Sequence, residues 1–227
     1  MIVKPLRIDV VSDVVCPWCY IGKRRLDRAL QQLGDVPVTV HWRPYFLNPW
    51  VPAAGMDRDA YLTAKFGSVE DYQRIAGRIA EEAAAEGLSY RPELVRRQPN
   101  TLDCHRLIHW AEELGGTRTA AAMKQRLMEL YFRDGGDLTD RQVLLQAVTD
   151  CGLDAEQIGA WLASDRDVAL VSAQAKDAAE RGISGVPTFV FGRRYALTGA
   201  QPPEQLLRAI RHVAAEQNAE DDLAWGI

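Results

Sequence analysis

Cys16-Pro17-Trp18-Cys19 places two thiols in one short segment, directly after the alternating apolar run of residues 6–11. Pro17 suits the first turn of a helix, because the backbone N–H that proline lacks would have no partner there. Cys16 is therefore predicted at a helix N-terminus, where unpaired N–H groups and the positive end of the helix dipole favour thiolate over thiol. We expect Cys16 to be the attacking thiol of a redox pair and Cys19 to be the more buried resolving thiol.

Two other roles for this pair need to be weighed. A Cys-x-x-Cys segment can supply half of a zinc site, but a structural site needs four ligands. The remaining cysteines, Cys104 and Cys151, are far apart in sequence and form no second pair. Two buried cysteines can also be plain core residues, because free cysteine packs as a small hydrophobe. Disulfide exchange remains the leading interpretation, and no metal is expected.

Composition and charge narrow the class of protein. The 227 residues are long enough to bury a sizeable core, and the net charge of −4 leaves no basic footprint for nucleic acid. No apolar run approaches the ~20 residues that span a bilayer, and residues 1–7 lack the apolar segment of a signal peptide. We expect a cytoplasmic protein that binds neither nucleic acid nor membranes; its oligomeric state stays open.

Strand patterns lie near the two ends of the chain, with helical patterns between them. Alternating or β-rich runs predict strands at residues 6–11, 36–42, 188–191 and 195–198. Repeated cap residues and glycine stops predict helices for over a hundred residues in between. Among these caps, Thr139 and Ser164 are predicted to begin two helices. A last helix is predicted to run to about residue 213, with a mobile acidic tail after it.

Several short segments match a known family in sequence as well as in order. These segments are residues 9–13, 16–22, 100–102, 105–107, 185–190 and 199–201. With these segments, the chain resembles the DsbA-like branch of the thioredoxin superfamily, and within it the FrnE-like oxidoreductases. The resemblance implies an α/β thioredoxin fold with an inserted all-helical domain. Residues 1–49 and 166–227 would form the discontinuous thioredoxin-like domain, and residues 50–165 the insertion that covers the cysteine pair.

The same resemblance implies further site residues. Val186-Pro187 would carry a cis peptide bond beside Cys16, exposing the Val186 backbone to an extended substrate. Trp18, Asn100 and His105 would also contact substrate, while Pro17 would have a structural role. For two of these the alternatives stay open, since Asn100 could be merely a helix cap and His105 a partly buried packing residue.

The activity implied is that of a protein disulfide oxidoreductase, acting as a reductase or isomerase. Strongly oxidising DsbA proteins carry Pro-His between the cysteines, whereas this chain carries Pro17-Trp18. An indole cannot stabilise the thiolate as a charged imidazole can, so we expect a less oxidising couple. Disulfide-containing proteins or small thiols would be the substrates, with no bound cofactor and with glutathione as the redox partner.

Two functions of other classes remain as alternatives. The 2-hydroxychromene-2-carboxylate isomerases and kappa-class glutathione transferases share the inserted-helix architecture, but they typically carry a serine at the position of Cys16. A glutathione-dependent isomerase or transferase is therefore the second interpretation. The third is a binding module without redox chemistry, against which the intact cysteine pair argues.

Overall fold

The computed structural model describes residues 5–224 of the chain. Its strands are β1 (Leu6–Ser12), β2 (Val38–Pro44), β3 (Met56–Asp57), β4 (Arg97–Gln98), β5 (Thr188–Phe191) and β6 (Tyr195–Thr198). Its helices are α1 (Pro17–Gln31), α2 (Arg58–Phe66), α3 (Val69–Ala85), α4 (Leu102–Phe132), α5 (Arg141–Asp150), α6 (Ala155–Leu162), α7 (Val168–Glu180) and α8 (Pro203–Ala224). Within residues 5–224, no helix combines the length and the apolarity that crossing a bilayer would require.

One four-stranded sheet, in the order β2-β1-β5-β6, carries the fold. β1 runs parallel to β2 and antiparallel to β5, and β5 and β6 form the hairpin that the sequence predicts. Val10 stands opposite Trp42 on one side and Phe189 on the other, all three buried in the core. The α/β thioredoxin fold is thereby confirmed. β2 begins at Val38, two residues later than predicted, because its pairing with β1 starts at Leu6.

 The chain between β2 and β5 is mainly helical, as predicted, and it also contains the short antiparallel β3–β4 ladder. We call this part of the chain, between β2 and β5, the helical segment. Its longest helix, α4, is interrupted at Gly116, whose φ of 74° and ψ of −173° are not helical. The break falls at the Gly115-Gly116 pair, one of the glycine stops between the predicted helices. The domain boundaries after residues 49 and 165 stay a prediction.

Three helix ends differ from the sequence prediction. Thr139 does not cap α5, because its hydroxyl and its backbone N–H both donate to Asp137 Oδ1, and Asp140 accepts from the Gln142 N–H instead. Ser164 likewise forms a local turn, donating to the Trp161 carbonyl, so that α7 begins only at Val168. The last helix does not end near residue 213 but continues to Ala224, where a mobile tail was expected.

Hydrogen-bonded ion pairs connect the helical segment to the thioredoxin core. Arg25 and Arg28 of α1 both donate to the buried Glu86 carboxylate, which follows α3, at 2.8 and 2.7 Å. Arg25 also donates to the Ala200 carbonyl at 2.6 Å, just beyond β6. One arginine thus holds together α1, the end of α3 and the segment that leads into α8.

Gly22 of α1 allows the helix to approach the loop before β5. A Cβ atom at this position would lie 2.8 Å from Pro187 Cγ and 3.3 Å from Phe189 Cζ, with Ala200 Cα at 3.6 Å. Glycine inside a helix costs roughly 0.5–1 kcal/mol relative to alanine. The close approach to Pro187 explains why glycine, and not alanine, occupies this helical position.

We predict that Gly22→Ala lowers the free energy of unfolding by about 1–3 kcal/mol, since the new methyl group overpacks the contact with Pro187. Gly77→Ala is the matched control, because a Cβ on this exposed helical glycine would meet nothing within 4 Å. It should stabilise the protein by about 0.5–1 kcal/mol. Urea denaturation measures both, and equal effects of the two substitutions would contradict the packing role of Gly22.

Candidate active site

The structure places the cysteine pair where the sequence predicts it, at the junction between β1 and α1. Cys16 is the N-cap residue of α1, with an extended backbone (φ −92°, ψ 114°), and Pro17 is the first helical residue. The Cys16 carbonyl accepts from the N–H groups of Cys19 and Tyr20 at 3.0 and 3.2 Å, which begins the helix. Pro17 therefore has the structural position expected of it.

The two thiols have opposite ionisation properties. Both are buried, with 4% of Cys16 and 1% of Cys19 exposed. Hydrogen bonds from the Cys19 thiol and backbone to the Cys16 sulfur lower the pKa of Cys16, although burial opposes the shift. Burial raises the pKa of Cys19 well above its usual value, and the neighbouring Cys16 raises it further. Cys16 is thus the thiol that ionises first, which suits a nucleophile.

The loop before β5 lies directly against Cys16. The Val186–Pro187 peptide bond is cis, as the resemblance implies, and the Cys16 thiol donates to the Val186 carbonyl with an Sγ···O distance of 3.7 Å. The Gly199 N–H donates to the Pro187 carbonyl at 2.7 Å, which anchors the loop to the end of β6. The structure therefore brings Val186 and Pro187 to the cysteine pair.

Asp13 is a buried carboxylate close to this pair. Its Oδ1 accepts from the Val14 N–H at 2.7 Å and lies 3.2 Å from His105 Nε2, and its Oδ2 accepts from the Leu47 N–H at 2.8 Å. Burial alone would raise the pKa of Asp13, but the bonds and charge of His105 and the Leu47 N–H outweigh it and leave the pKa lowered. Asp13 is therefore held as a carboxylate.

The other three predicted substrate residues, His105, Asn100 and Trp18, each contact other parts of the protein. His105 is buried, and its ring, 5.7 Å from that of Phe46, contacts Asp13; burial lowers its pKa. Asn100 donates to the Val51 carbonyl at 2.9 Å and accepts from the Leu102 N–H at 3.0 Å, so it ties the loop after β2 to the start of α4. Trp18 is half-buried against the core. A substrate contact by any of the three stays a prediction.

Lys124 is a site residue that sequence reasoning missed. This residue of α4 is buried, and burial lowers its pKa, while the charges of Cys19, Asp13 and Cys16 oppose that shift. Its positive charge in turn lowers the pKa of Cys19, against the larger effect of burial. A signal was present in the sequence, because Lys124 stands four residues after Ala120 and three before Leu127 on the apolar face of the helix.

A second missed feature is a group of N–H donors near Cys16, formed by Asn48 and Lys65. Asn48 Oδ1 accepts from the Tyr61 hydroxyl at 3.1 Å and from the Lys65 ammonium, and Asn48 Nδ2 has no partner within the described part of the chain. Lys65 is exposed overall, but partial desolvation lowers its pKa, and the charges of Cys16 and Asp13 oppose this. We call Asn48 and Lys65 the donor pair.

Comparisons with known proteins identify the family and the fold. The family model described as DSBA-like thioredoxin domain matches residues 7–211. The chain is 35% identical to a probable DsbA oxidoreductase of Streptomyces coelicolor, covering 93% of this chain and 91% of that one with a TM-score of 0.82.

Two further solved structures share the fold at lower identity. The cytosolic disulfide reductase DsbM of Pseudomonas aeruginosa, solved with GSH, is 21% identical, with 95% and 98% of the two chains covered and a TM-score of 0.62. A 2-hydroxychromene-2-carboxylate isomerase is 17% identical, with 94% and 98% covered and a TM-score of 0.69. With its cysteine pair, its sheet order and a family match over residues 7–211, this chain belongs to the DSBA-like thioredoxin domain family.

Proposed function

We propose that this protein is a thiol–disulfide oxidoreductase in which Cys16 attacks the substrate and Cys19 resolves the intermediate. The observation that carries the proposal is the placement of the pair: Cys16 is the N-cap of α1, with its thiol 3.7 Å from the Val186 carbonyl, and Cys19 is buried one turn further along the helix. The pKa directions agree with it, lowered for Cys16 and raised for Cys19. Such an asymmetry gives one thiol that is ready to attack and one that stays protonated until it is needed.

The reaction balances as two successive thiol–disulfide exchanges. The Cys16 thiolate attacks one sulfur of the substrate disulfide, forming a mixed disulfide and releasing the other substrate sulfur as a thiolate that takes up a proton. Cys19 then loses its proton and attacks Cys16 Sγ, which releases the second substrate thiolate. Two electrons have passed from the cysteine pair to the substrate, and the pair ends as a Cys16–Cys19 disulfide.

Two buried groups support the second exchange. The positive charge of Lys124 favours the thiolate of Cys19, which must form in a buried environment. The Asp13 carboxylate lies in the same buried region and disfavours the thiolate of Cys16, so its charge favours release of Cys16 from the thiolate state into the mixed disulfide. In the mixed disulfide Cys16 carries no charge, so Cys19 is then the thiol of the pair on which the Lys124 charge acts.

We propose the direction of a reductase or isomerase, with glutathione as the reductant and disulfide-containing proteins or small disulfides as substrates. Trp18 stands where a charged histidine would stabilise the thiolate, so the reduced pair is less favoured than in a strong oxidant. Two glutathione thiols would reduce the Cys16–Cys19 disulfide and leave as glutathione disulfide. A reducing compartment suits this direction, and the cytoplasmic location stays a prediction.

The donor pair supports glutathione as the partner, since glutathione carries two carboxylates. Lys65 offers a positive charge near Cys16, and Asn48 offers an N–H group that lacks an acceptor within residues 5–224. A carboxylate placed there would receive charge-assisted hydrogen bonds. The disulfide reductase DsbM, of the same fold, has been solved with GSH. A glutathione-dependent isomerase remains the alternative, but such an enzyme has no use for the resolving Cys19.

We predict that Cys16→Ser abolishes the acceleration of insulin reduction by dithiothreitol over the rate without enzyme. Cys19→Ser should accumulate a mixed disulfide on Cys16, because the second exchange is blocked. Turbidity follows insulin reduction and mass spectrometry locates the adduct. Cys151→Ser is the control and should keep full activity, since this half-buried thiol has a raised pKa. Full activity of Cys16→Ser would disprove the assignment, and a parent protein without any turnover would favour a pure binding module.

We predict that Asp13→Asn lowers the pKa of Cys16, because a nearby negative charge that disfavours the thiolate is removed. The rate of alkylation by iodoacetamide, measured against pH, should therefore reach its midpoint at a lower pH. Asp27→Asn, on α1 and ion-paired with Lys23, is the control. A midpoint that moves to higher pH in Asp13→Asn would show that Asp13 acts on Cys16 in some other way.

We predict that Lys65→Gln raises the KM for glutathione disulfide about 10-fold, the effect of losing one charge-assisted hydrogen bond of about 1.5 kcal/mol. The KM for hydroxyethyl disulfide, which has no carboxylate, should not change by the same factor. Lys176→Gln, in an exposed ion pair with Glu180, is the control. Equal changes for the two disulfides would mean that Lys65 does not recognise a carboxylate.

A further inference from the structure

A cluster of metal-ligating side chains lies between α4 and the start of α7, outside the cysteine site. His109 and Glu113 are one turn apart on α4, and Asp167 is the residue that precedes α7. One ligand atom from each, the His109 ring nitrogen and a carboxylate oxygen of Glu113 and of Asp167, all lie within 4.8 Å of one another. The proposed disulfide chemistry uses none of the three.

His109 Nε2 is a buried nitrogen whose hydrogen-bonding position is unsatisfied within the described residues. It lies 3.5 Å from Glu113 Oε1, but without the geometry of a hydrogen bond. A buried polar atom left without a partner destabilises the folded state. A cation at the centre of the cluster would bind this nitrogen and remove that destabilisation.

The Asp167 carboxylate is already oriented by its neighbours. The fully buried Trp110 donates from Nε1 to Asp167 Oδ2 at 2.8 Å, and Arg166 Nε lies 3.3 Å from the same oxygen. Both donors use Oδ2, so Oδ1 is the oxygen that neither of them occupies and that can face an ion. Hydrogen bonds of this kind commonly fix the carboxylate ligands of metal sites in proteins.

We propose that His109, Glu113 and Asp167 bind a divalent first-row transition-metal cation, of which zinc is the representative. One imidazole and two carboxylates form a ligand set that suits zinc, whereas magnesium and calcium prefer oxygen ligands alone. Zinc ligands at about 2.0–2.2 Å from the metal lie closer together than 4.8 Å. The exposed Glu113 can move to close that gap, and water completes the coordination.

The bound ion joins two elements that are distant in sequence. α4 supplies two ligands, and the turn before α7 supplies the third. An ion held only by the folded chain stabilises the fold by mass action, so the melting temperature rises with metal concentration. The cation is therefore a structural link between α4 and α7, and it takes no part in disulfide exchange.

The test is a titration with Co²⁺ of the full chain carrying Cys16→Ser and Cys19→Ser, which removes the two thiols most able to bind metal. We expect one Co²⁺ per chain, visible absorption bands without the near-ultraviolet band of a cobalt–thiolate bond, and competition by Zn²⁺ but not by Mg²⁺. The melting temperature should rise with the metal. Absence of saturable binding at micromolar Co²⁺, or a thiolate band, would overturn the proposal.

Substitutions of the ligands test whether Co²⁺ binds at this cluster and not at a histidine–glutamate pair elsewhere on the surface. In the same background, His109→Gln and Asp167→Asn should each weaken Co²⁺ binding at least about 10-fold and abolish the rise in melting temperature. Asparagine tolerates the positive φ of 59° at position 167, so the turn should be kept. His212→Gln is the control, because His212 and Glu216 have the same spacing and lie 3.3 Å apart without a third ligand within the described residues. Unchanged affinity in His109→Gln, or an equal loss in His212→Gln, would refute the site.

Discussion

The buried carboxylate of Asp13 connects the parts of the structure on which the active site depends. It accepts hydrogen bonds from the turn before Cys16 and from the segment after β2, and it contacts His105 of α4. Three stretches that are far apart in sequence thus meet at one side chain. A buried charge is tolerated only when it is well bonded, so the turn, the loop and the helix are each constrained to their places around it. The cysteine pair lies directly beyond this junction.

The helical segment does more than cover the thioredoxin core. It contributes charge to a site whose two sulfur atoms lie at the start of α1, because Lys124 lies on α4 and Lys65 on α2. The two lysines act on different sulfurs, Lys124 chiefly on Cys19 and Lys65 on Cys16. The insertion can therefore alter the chemistry of the pair without any change in the Cys-x-x-Cys segment itself.

The sequence predicts the local features well, because each depends on a few neighbouring residues. The four main strands follow from alternation, the start of α1 from Pro17, and the break in α4 from Gly116. The caps at Thr139 and Ser164 were wrong because each hydroxyl bonds within its own turn, and a spacing rule cannot weigh that competition. Asp13, Lys124 and the donor pair were not predicted, since their importance comes from contacts across long stretches of chain.

The hydrogen bond between the Cys16 thiol and the Val186 carbonyl links two events that are usually considered separately. While the thiol is protonated, it donates to the carbonyl that is predicted to pair with an extended substrate. Ionisation removes the donor, and the carbonyl becomes available as soon as the nucleophile is formed. If substrate pairs with Val186 as predicted, a single proton would control both the reactivity of the sulfur and the availability of that carbonyl.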